Sequence, residues 1–418
     1  MTNGTAGNAD IRISWAGKSI PLNQVEEQLA VLWKISADNM RTGNNLNVRT
    51  SVLNLVICTP DIETARRASA LLRFLSNTHL ARVTNLILDT ESPASNVSTW
   101  VTLRCFSIIS DLMRHCFEQT TALLTGSAVR AAAHIIRPIL KPDLPVYLWW
   151  IGEPASNDIV FKSLLELSSR VIIDSNTFFN PEQDLKALAS LMQDFPGAAI
   201  SDLNWARITP WRQLVAQFFD IPEYLPYLTG VHSIEIEHAV APLAMPTRGE
   251  QGQISPNPAC AILLAGWLKG RLGLRADERA QNLRDTASGT YFWQTERTIS
   301  TGMTGPLTLP GGRTRKRTTT INIRPRVQPE LLPGTICRVS LTSKIDNKVA
   351  TFTINRENDL DHVLTSVEVS HDTHMRPQRT VSLAANRSES ELLQDELEIT
   401  GRDYPFEETL REVIDLLG

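Results

Sequence analysis

Strand-like segments that alternate with helix-like segments constrain the fold of this chain more than any other feature of its sequence. In the first half the strand-like segments are 49–58, 83–88, 101–109, 146–151 and 170–174, and the helix-like segments are 23–40, 62–75, 128–139, 158–167 and 182–195. The segment Val146–Ile151 is apolar throughout, which is typical of a strand buried on both faces. This alternation predicts an α/β domain with a mainly parallel, helix-covered sheet. The stretch 81–125 has strands without an intervening helix, so we expect an antiparallel excursion there.

The second half of the chain changes character and predicts an α+β domain with an antiparallel sheet. β-branched runs with hairpin-like spacing occur at 318–323, 336–341, 349–354 and 363–369. Periodic segments at 259–272, 389–397 and 406–417 predict helices, and 231–240 predicts a further strand. We therefore divide the chain into a disordered tail at 1–10, an α/β domain at 11–200 and an α+β domain at 201–418, with a boundary tolerance of about 30 residues.

Length and composition are those of a globular protein with two domains. The chain has 418 residues, 42% of them hydrophobic and 21% charged, and a single core seldom grows beyond about 250–300 residues. A net charge of −4 gives no global reason to bind nucleic acid or an anionic membrane. No apolar run approaches the roughly 20 residues that span a bilayer. The first ten residues lack the order of a secretion signal, so we expect a cytoplasmic protein.

Motifs for cofactor, metal or nucleophilic chemistry are missing from the sequence. Neither Gly-x-Gly-x-x-Gly after a strand nor the GxxxxGK[ST] phosphate loop occurs. The five cysteines contain no Cys-x-x-Cys pair, and we expect Cys58 and Cys105 to be buried small apolar side chains. His371 and His374 have loose spacing and no evident partner ligands. We therefore assign no catalytic residue, no cofactor and no metal.

Asp174 ends a short strand that is predicted to be parallel, and Ser175 follows it. Ligands of open α/β sheets bind outside the carboxyl ends of the strands, so this pair could hold a small anion or a sugar. The same residues could instead cap the helix that follows. The first interpretation would make the chain an enzyme that binds a sugar phosphate or a nucleotide, and the second would not.

Tryptophan and arginine residues form the most prominent candidate for a recognition surface. The cluster consists of Trp205, Arg207, Trp211 and Arg212. Both residue types are enriched among those that dominate binding energies, so the cluster predicts a partner-binding surface. Burial beneath the second domain is the alternative. The neighbours Trp149 and Trp150 should point to opposite faces of a strand, with one in the core and the other under a helix or in a contact.

A run of basic residues follows Pro310-Gly311-Gly312. It consists of Arg313, Arg315, Lys316 and Arg317, and Arg324 and Arg326 follow it. The preceding turn residues predict a mobile loop that leads into a strand. Three uses stay open: a solvated loop, a docking site for an acidic protein patch, and a nucleic-acid contact, which the lack of interleaved aromatic residues disfavours.

Several ordered motifs together carry a family resemblance. They are Arg49-Thr-Ser-Val-Leu-Asn-Leu55, Asp143-Leu-Pro-Val-Tyr-Leu-Trp-Trp150 with Gly152-Glu153-Pro154, Ile172-Ile-Asp-Ser175, Asp202-Leu-Asn-Trp205 and Arg207-x-Thr-Pro-Trp-Arg212. With these motifs the chain resembles the OpcA family of glucose-6-phosphate dehydrogenase assembly proteins from cyanobacteria and actinobacteria. The resemblance is specific across residues 45–240, and beyond 240 it rests on order and length.

The resemblance implies a non-catalytic protein that binds glucose-6-phosphate dehydrogenase. Such a protein would promote the active oligomer of that enzyme and raise oxidative pentose phosphate flux and NADPH supply. In cyanobacteria the family is associated with redox control through thioredoxin, which implies thioredoxin as a further partner. This chain has no cysteine after Cys337, so we do not expect a C-terminal dithiol sensor.

Overall fold

A computed structural model describes residues 19–41, 46–49, 51–75, 81–109, 113–153, 158–240, 257–277, 282–301, 313–356, 361–370, 378–383 and 387–418. The described residues form two compact units, each discontinuous in sequence. Unit 1 draws on 1–174, 190–203 and 388–403, and unit 2 on 175–189, 204–387 and 404–418. The predicted tail at 1–10 and both His371 and His374 lie outside the described residues. The predicted domain boundary near residue 200 stays a prediction.

Helices and strands follow each other closely along the chain. Up to residue 218 they are α1 (Val25–Arg41), β1 (Leu46–Arg49), β2 (Leu53–Thr59), α2 (Ile62–Leu75), β3 (Ala81–Asp89), β4 (Asn96–Ile109), β5 (Met113–Thr125), α3 (Ala132–Ile136), β6 (Val146–Trp150), α4 (Ile159–Leu167), β7 (Arg170–Ile173), α5 (Pro181–Asp194), β8 (Ala199–Asp202), α6 (Leu203–Arg207) and α7 (Thr209–Phe218). Thereafter they are β9 (Val231–Val240), α8 (Ala259–Leu272), β10 (Arg275–Ala276), β11 (Leu283–Asp285), β12 (Thr290–Thr301), β13 (Arg313–Val327), β14 (Ile336–Ile345), β15 (Lys348–Arg356), β16 (His362–Val369), β17 (Gln378–Ser382), α9 (Glu389–Glu398) and α10 (Tyr404–Leu417).

The sheet of unit 1 has eight described strands in the order β1-β5-β3-β2-β6-β7-β8, with β4 paired to β5. Its neighbouring strands are parallel, apart from β4 and β5, which form the predicted antiparallel excursion. Strands β2 and β7 are buried at every residue, as expected of strands covered on both faces. From β5 to β8 the order is the 3-2-1-4-5-6 order of a doubly wound sheet. No sequence pattern predicted β8, because this strand has only four residues and begins two residues after the Pro196-Gly197 turn.

Both tryptophans at the end of β6 are buried in unit 1. Trp149 lies in the core, and the Trp150 ring centroid is 4.6 Å from that of Phe161 on α4. The Trp150 indole N–H donates to the carbonyl of Glu153 at 3.1 Å. The doubled tryptophan therefore packs one ring in the core and one beneath a helix, as predicted.

A C-terminal segment, residues 388–403, completes unit 1. The buried Arg170 at the start of β7 reaches it, with Nη1 3.4 Å from Glu396 Oε2 and Nη2 donating to the Gly401 carbonyl. Arg402 Nη1 donates to the carbonyl of Pro196 at 2.9 Å. These contacts attach α9 and the residues after it to the sheet.

The sheet of unit 2 has nine described strands, with β10-β12-β13-β9-β14-β15-β16-β17 in order and β11 paired to β12. The described strand pairs of this sheet are antiparallel, as predicted, with the exception of β13 and β9. These two strands run parallel, so the sheet is mixed. The reason is that β9 precedes the hairpin strands in sequence and inserts between β13 and β14. On β9 the residues Ile234, Ile236 and His238 are buried and Glu235 and Glu237 are half-buried, as in a strand with one face towards the core.

Close packing of α8 against α10 forms much of the helical part of unit 2. A Cβ on Gly266 would lie 2.5 Å from Val413 Cγ2, so only glycine permits this approach. The buried Lys269 bridges the two helices through Glu412 and Asp415, with its Nζ 2.6 Å from Asp415 Oδ2.

Cysteine chemistry differs in part from the prediction. Cys58 is a buried thiol as expected, and burial raises its pKa well above the ordinary value. Cys105 is not a thiol, because it forms a disulfide with Cys116, which lies directly opposite on the paired strand β5. The two cysteines are 11 residues apart, so the Cys-x-x-Cys spacing could not indicate this pair.

In the part of the chain that the structure describes, no helix has both the length and the apolar character needed to cross a bilayer.

Candidate functional site

The turn between β2 and α2 occupies the place where a doubly wound sheet binds the phosphates of a dinucleotide. In such folds the first βα turn carries Gly-x-Gly-x-x-Gly, which lets the backbone approach a pyrophosphate at the helix N-terminus. Here the turn reads Thr59-Pro60-Asp61-Ile62-Glu63-Thr64 and contains no glycine. The fold therefore keeps the position of a dinucleotide site without the residues that make one.

A carboxylate, that of Asp61, caps α2 at this position. Asp61 Oδ1 accepts a hydrogen bond from the Thr64 backbone N–H at 2.7 Å, and Oδ2 accepts one from the Thr64 hydroxyl at 2.9 Å. These hydrogen bonds lower the pKa of Asp61. Glu63 adds a second acidic residue to the first turn. Negative charge at the helix N-terminus opposes the binding of a phosphate there.

Ser175, one half of the predicted ligand site, is already engaged inside unit 2. Its side chain is fully buried, and its hydroxyl accepts a hydrogen bond from Asn204 Nδ2 at 3.0 Å. Asp174 is half-buried at the end of β7. Ligand binding by Asp174 and Ser175 stays a prediction.

Asn257, which no sequence pattern singled out, holds the residues that follow Asp174. Its Nδ2 lies 2.9 Å from the Ser175 and Asn176 carbonyl oxygens and 3.1 Å from that of Phe178. Its Oδ1 accepts from the Ala259 backbone N–H at 2.9 Å, at the start of α8. One amide thus ties a loop to a helix start. A lone Asn before a helix suggests a cap, but its contact with Ser175 spans 82 residues of sequence, which no local pattern reveals.

The predicted tryptophan and arginine cluster is assembled in unit 2, with its rings buried. Trp205 and Trp211 are each 3% exposed. The Arg212 guanidinium lies 3.4 Å from the centroid of the Trp205 ring, and its Nη2 donates to the Thr209 hydroxyl at 2.7 Å. Arg207 and Arg212 are half-buried. The rings therefore contribute packing, and the two arginines are the members that a partner could reach.

The basic run at 313–317 lies on a strand, so the prediction of a loop there is wrong. Residues 313–317 belong to β13 and pair with 297–301 of β12, because the backbone hydrogen bonds of the hairpin extend through the charged residues. Lys316 is exposed, with Nζ 2.6 Å from Glu296 Oε2. Arg317 donates to the carbonyls of Thr229 and Lys344 at 3.3 and 2.8 Å. Partner binding by Arg313, Arg315, Lys316 and Arg317 stays a prediction.

Across the described ranges, no three His, Cys, Asp or Glu side chains are placed so that they could hold a metal ion.

Two family profiles match this chain. One describes the N-terminal domain of a glucose-6-phosphate dehydrogenase subunit and matches residues 73–190. The other describes the C-terminal domain of such a subunit and matches residues 198–410, which is about half of the chain by itself. Both profiles carry the family name OpcA.

Relatives with curated names share part of the sequence. A protein of Synechocystis sp. named as an OxPP cycle protein OpcA is 35% identical over 157 residues, which cover 38% of this chain and 30% of that protein. A protein of the same name from Nostoc punctiforme is 34% identical over 157 residues, with the same coverage. The match thus spans about a third of the length of these relatives.

Solved structures resemble this fold only distantly. A levoglucosan dehydrogenase in complex with NADH has a TM-score of 0.44 at 10% identity, over 88% of this chain and 95% of that one. A dehydrogenase from Chromobacterium violaceum has a TM-score of 0.40 at 12% identity, with the same coverage. Likeness at this level carries no functional argument.

Proposed function

This chain belongs to the OpcA family of glucose-6-phosphate dehydrogenase subunits, and from that membership we propose that it is a non-catalytic partner of glucose-6-phosphate dehydrogenase. It binds the enzyme, promotes its active oligomer and so raises oxidative pentose phosphate flux. The family match is the observation that carries this proposal.

The β2–α2 turn supports the non-catalytic part of the proposal. A dehydrogenase built on a doubly wound sheet needs its first βα turn for the pyrophosphate of the cofactor. The glycine-free turn and the Asp61 cap disfavour such binding at this position. The fold is then retained as a scaffold, which is consistent with a partner that acts by association.

Linkage provides the physical mechanism. A partner that binds the active oligomer more tightly than the inactive form shifts the population by its difference in affinity. A tenfold change in the apparent substrate affinity of the enzyme needs only about 1.4 kcal/mol of coupling.

The resemblance also implies redox control through thioredoxin. Among the described residues, the Cys105–Cys116 disulfide is the candidate target for that control.

We assign the contact to the basic run and to the two reachable arginines of the tryptophan cluster. Lys316 is 73% exposed on its side chain, so it can exchange Glu296 for an acidic group of a partner. Arg207 and Arg212 are half-buried, whereas Trp205 and Trp211 are buried, so the arginines are the more accessible members of the cluster.

The test uses purified glucose-6-phosphate dehydrogenase from the same organism, with and without this chain, at low substrate. We expect a fall in apparent KM and co-migration of the two proteins on a sizing column. The triple variant Arg313→Glu, Arg315→Glu, Lys316→Glu should weaken the complex by about tenfold or more, mainly through slower association. The matched control is Arg66→Glu, an arginine of α2 in unit 1 whose side chain is 75% exposed, and this variant should bind as the parent does.

Two results would count against the proposal in different ways. If the enzyme neither changes activity nor co-migrates, under both reducing and oxidising conditions, the proposed function is wrong. If the complex forms but the triple variant and an Arg207→Ala, Arg212→Ala double variant bind as the parent does, the function stands and the assigned interface is wrong.

A further inference from the structure

A polar groove of about 700 Å³ lies on the sheet of unit 2, on the face opposite its core. Five adjacent strands, β13, β9, β14, β15 and β16, contribute to it. The other face of the same strands is buried, as Ile236, Val339 and Ile354 show with no exposed surface. The groove is therefore a built concavity on an ordered sheet, with a volume in the range of small-molecule sites.

One cross-strand row gives the groove its chemistry. Arg324 of β13 pairs in register with Glu237 of β9, Glu237 with Arg338 of β14, and Arg338 with Asn355 of β15. Arg326 extends the row, because its Nη1 lies 3.4 Å from Glu237 Oε2 and 3.1 Å from Asn355 Oδ1. Strand pairing thus gathers three arginines around one carboxylate.

The positive charge of this row exceeds what its neighbours neutralise. Arg338 Nη1 is 3.9 Å from Glu237 Oε1, so Glu237 is shared by two guanidinium groups. Arg338 Nε is buried and has no hydrogen-bond partner among the described residues. Arg324 is exposed and forms no hydrogen bond or ion pair with any residue that the structure describes. With Glu368 included, the lining carries three arginines against two glutamates.

Apart from its charged residues, the groove is lined mainly by neutral polar side chains. Thr351, Thr353, Asn355 and Ser366 supply hydroxyl and amide groups, and the apolar lining consists of Pro325 and Leu364. None of the described residues that line the groove is aromatic, so a base would find no ring to stack on. A protein partner would bury about 800 Å² and prefer aromatic or aliphatic anchors, which this surface does not offer. A small ligand rich in hydroxyl groups fits better.

We propose that the groove between Arg324, Arg338 and Thr353 binds a small phosphorylated polyol, of the sugar phosphate class. The guanidinium groups hold the phosphate, since arginine pairs with phosphate through two parallel hydrogen bonds. The hydroxyl and amide side chains of β15 and β16 hold the sugar hydroxyls. The site lies on a different sheet from Asp174 and makes no use of the dinucleotide position.

Isothermal titration of the full chain with three probes tests the site. Glucose 6-phosphate should bind about tenfold or more tightly than either glucose or inorganic phosphate, because only the first uses both parts of the groove. The variants Arg324→Ala and Arg338→Ala should each weaken glucose 6-phosphate by about tenfold. Arg324 is exposed, so its variant tests the site without a folding risk. The control Arg275→Ala, at the other end of the sheet, should bind like the parent.

Three results would overturn the proposal. The first is no heat of binding with glucose 6-phosphate. The second is equal affinity for glucose 6-phosphate and inorganic phosphate, which would show an ordinary anion contact only. The third is tight binding that both arginine variants retain, which would place the ligand elsewhere. The titration contains no dehydrogenase, so its outcome is independent of the proposed function.

Discussion

Replacing Glu396 with glutamine should flatten the pH dependence of the stability of this protein. Glu396 is 4% exposed, and its Oε2 lies 3.4 Å from Arg170 Nη1. Burial raises the pKa of Glu396 from 4.5 to about 7, and a hydrogen bond with Ser201 and the charge of Arg170 offset this only in part. Between these two values the folded state keeps a proton that the unfolded state has released.

The sign and size of the effect follow from this difference in bound protons. The free energy of unfolding falls as pH rises from 4.5 to about 7, by about 1.4 kcal/mol per pH unit and by about 3 kcal/mol in all. Above pH 7 the contribution levels off, because the carboxyl is ionised in both states. Glutamine does not ionise, so the variant should gain about 3 kcal/mol relative to the parent across this interval.

Urea unfolding between pH 4.5 and pH 8, followed by tryptophan fluorescence, measures both curves. The matched control is Glu398→Gln, an exposed glutamate on the same helix α9, whose curve should run parallel to that of the parent. Parallel curves for Glu396→Gln and the parent would refute the reasoning. They would mean that the ion pair with Arg170 outweighs burial and that Glu396 is charged in the folded protein at all these pH values.

Two further predictions concern helix packing and capping. Gly266→Ala should lower stability by about 1 kcal/mol or more, because a clash with Val413 at 2.5 Å exceeds the gain in helix propensity. In Gly270→Ala, one turn later, the added Cβ meets only the flexible Glu412 side chain at 3.1 Å, so this variant should be neutral or stabilising. Thermal unfolding of both variants measures the difference. A melting temperature of Gly266→Ala above that of Gly270→Ala would contradict the prediction. Asp61→Ala should lower the free energy of unfolding by about 1 kcal/mol at neutral pH, because the variant loses the cap of α2. Urea unfolding measures this difference, which should vanish in acid as pH falls through the lowered pKa of Asp61.

Local patterns determined the elements of this fold. The apolar stripe of α1 places Val25, Leu29 and Leu32 in one core cluster, because residues three and four apart share a helix face. The alternation of β9 placed its apolar residues in the core for the equivalent reason at period two. The sequence also shows by itself that no Gly-x-Gly-x-x-Gly motif follows a strand, whatever the strand order. These properties depend on residues that are close in sequence, so the sequence alone shows them.

Tertiary structure decided how distant segments meet. Arg170 pairs with Glu396 across 226 residues, and Cys105 finds Cys116 because β4 and β5 fold back on each other. The arginine row around Glu237 exists only because β9 inserts between β13 and β14 in one register. A shift of one residue would turn these side chains to the other face of the sheet. Strand pairing over long separations depends on the packing of the whole unit, and no local pattern encodes it.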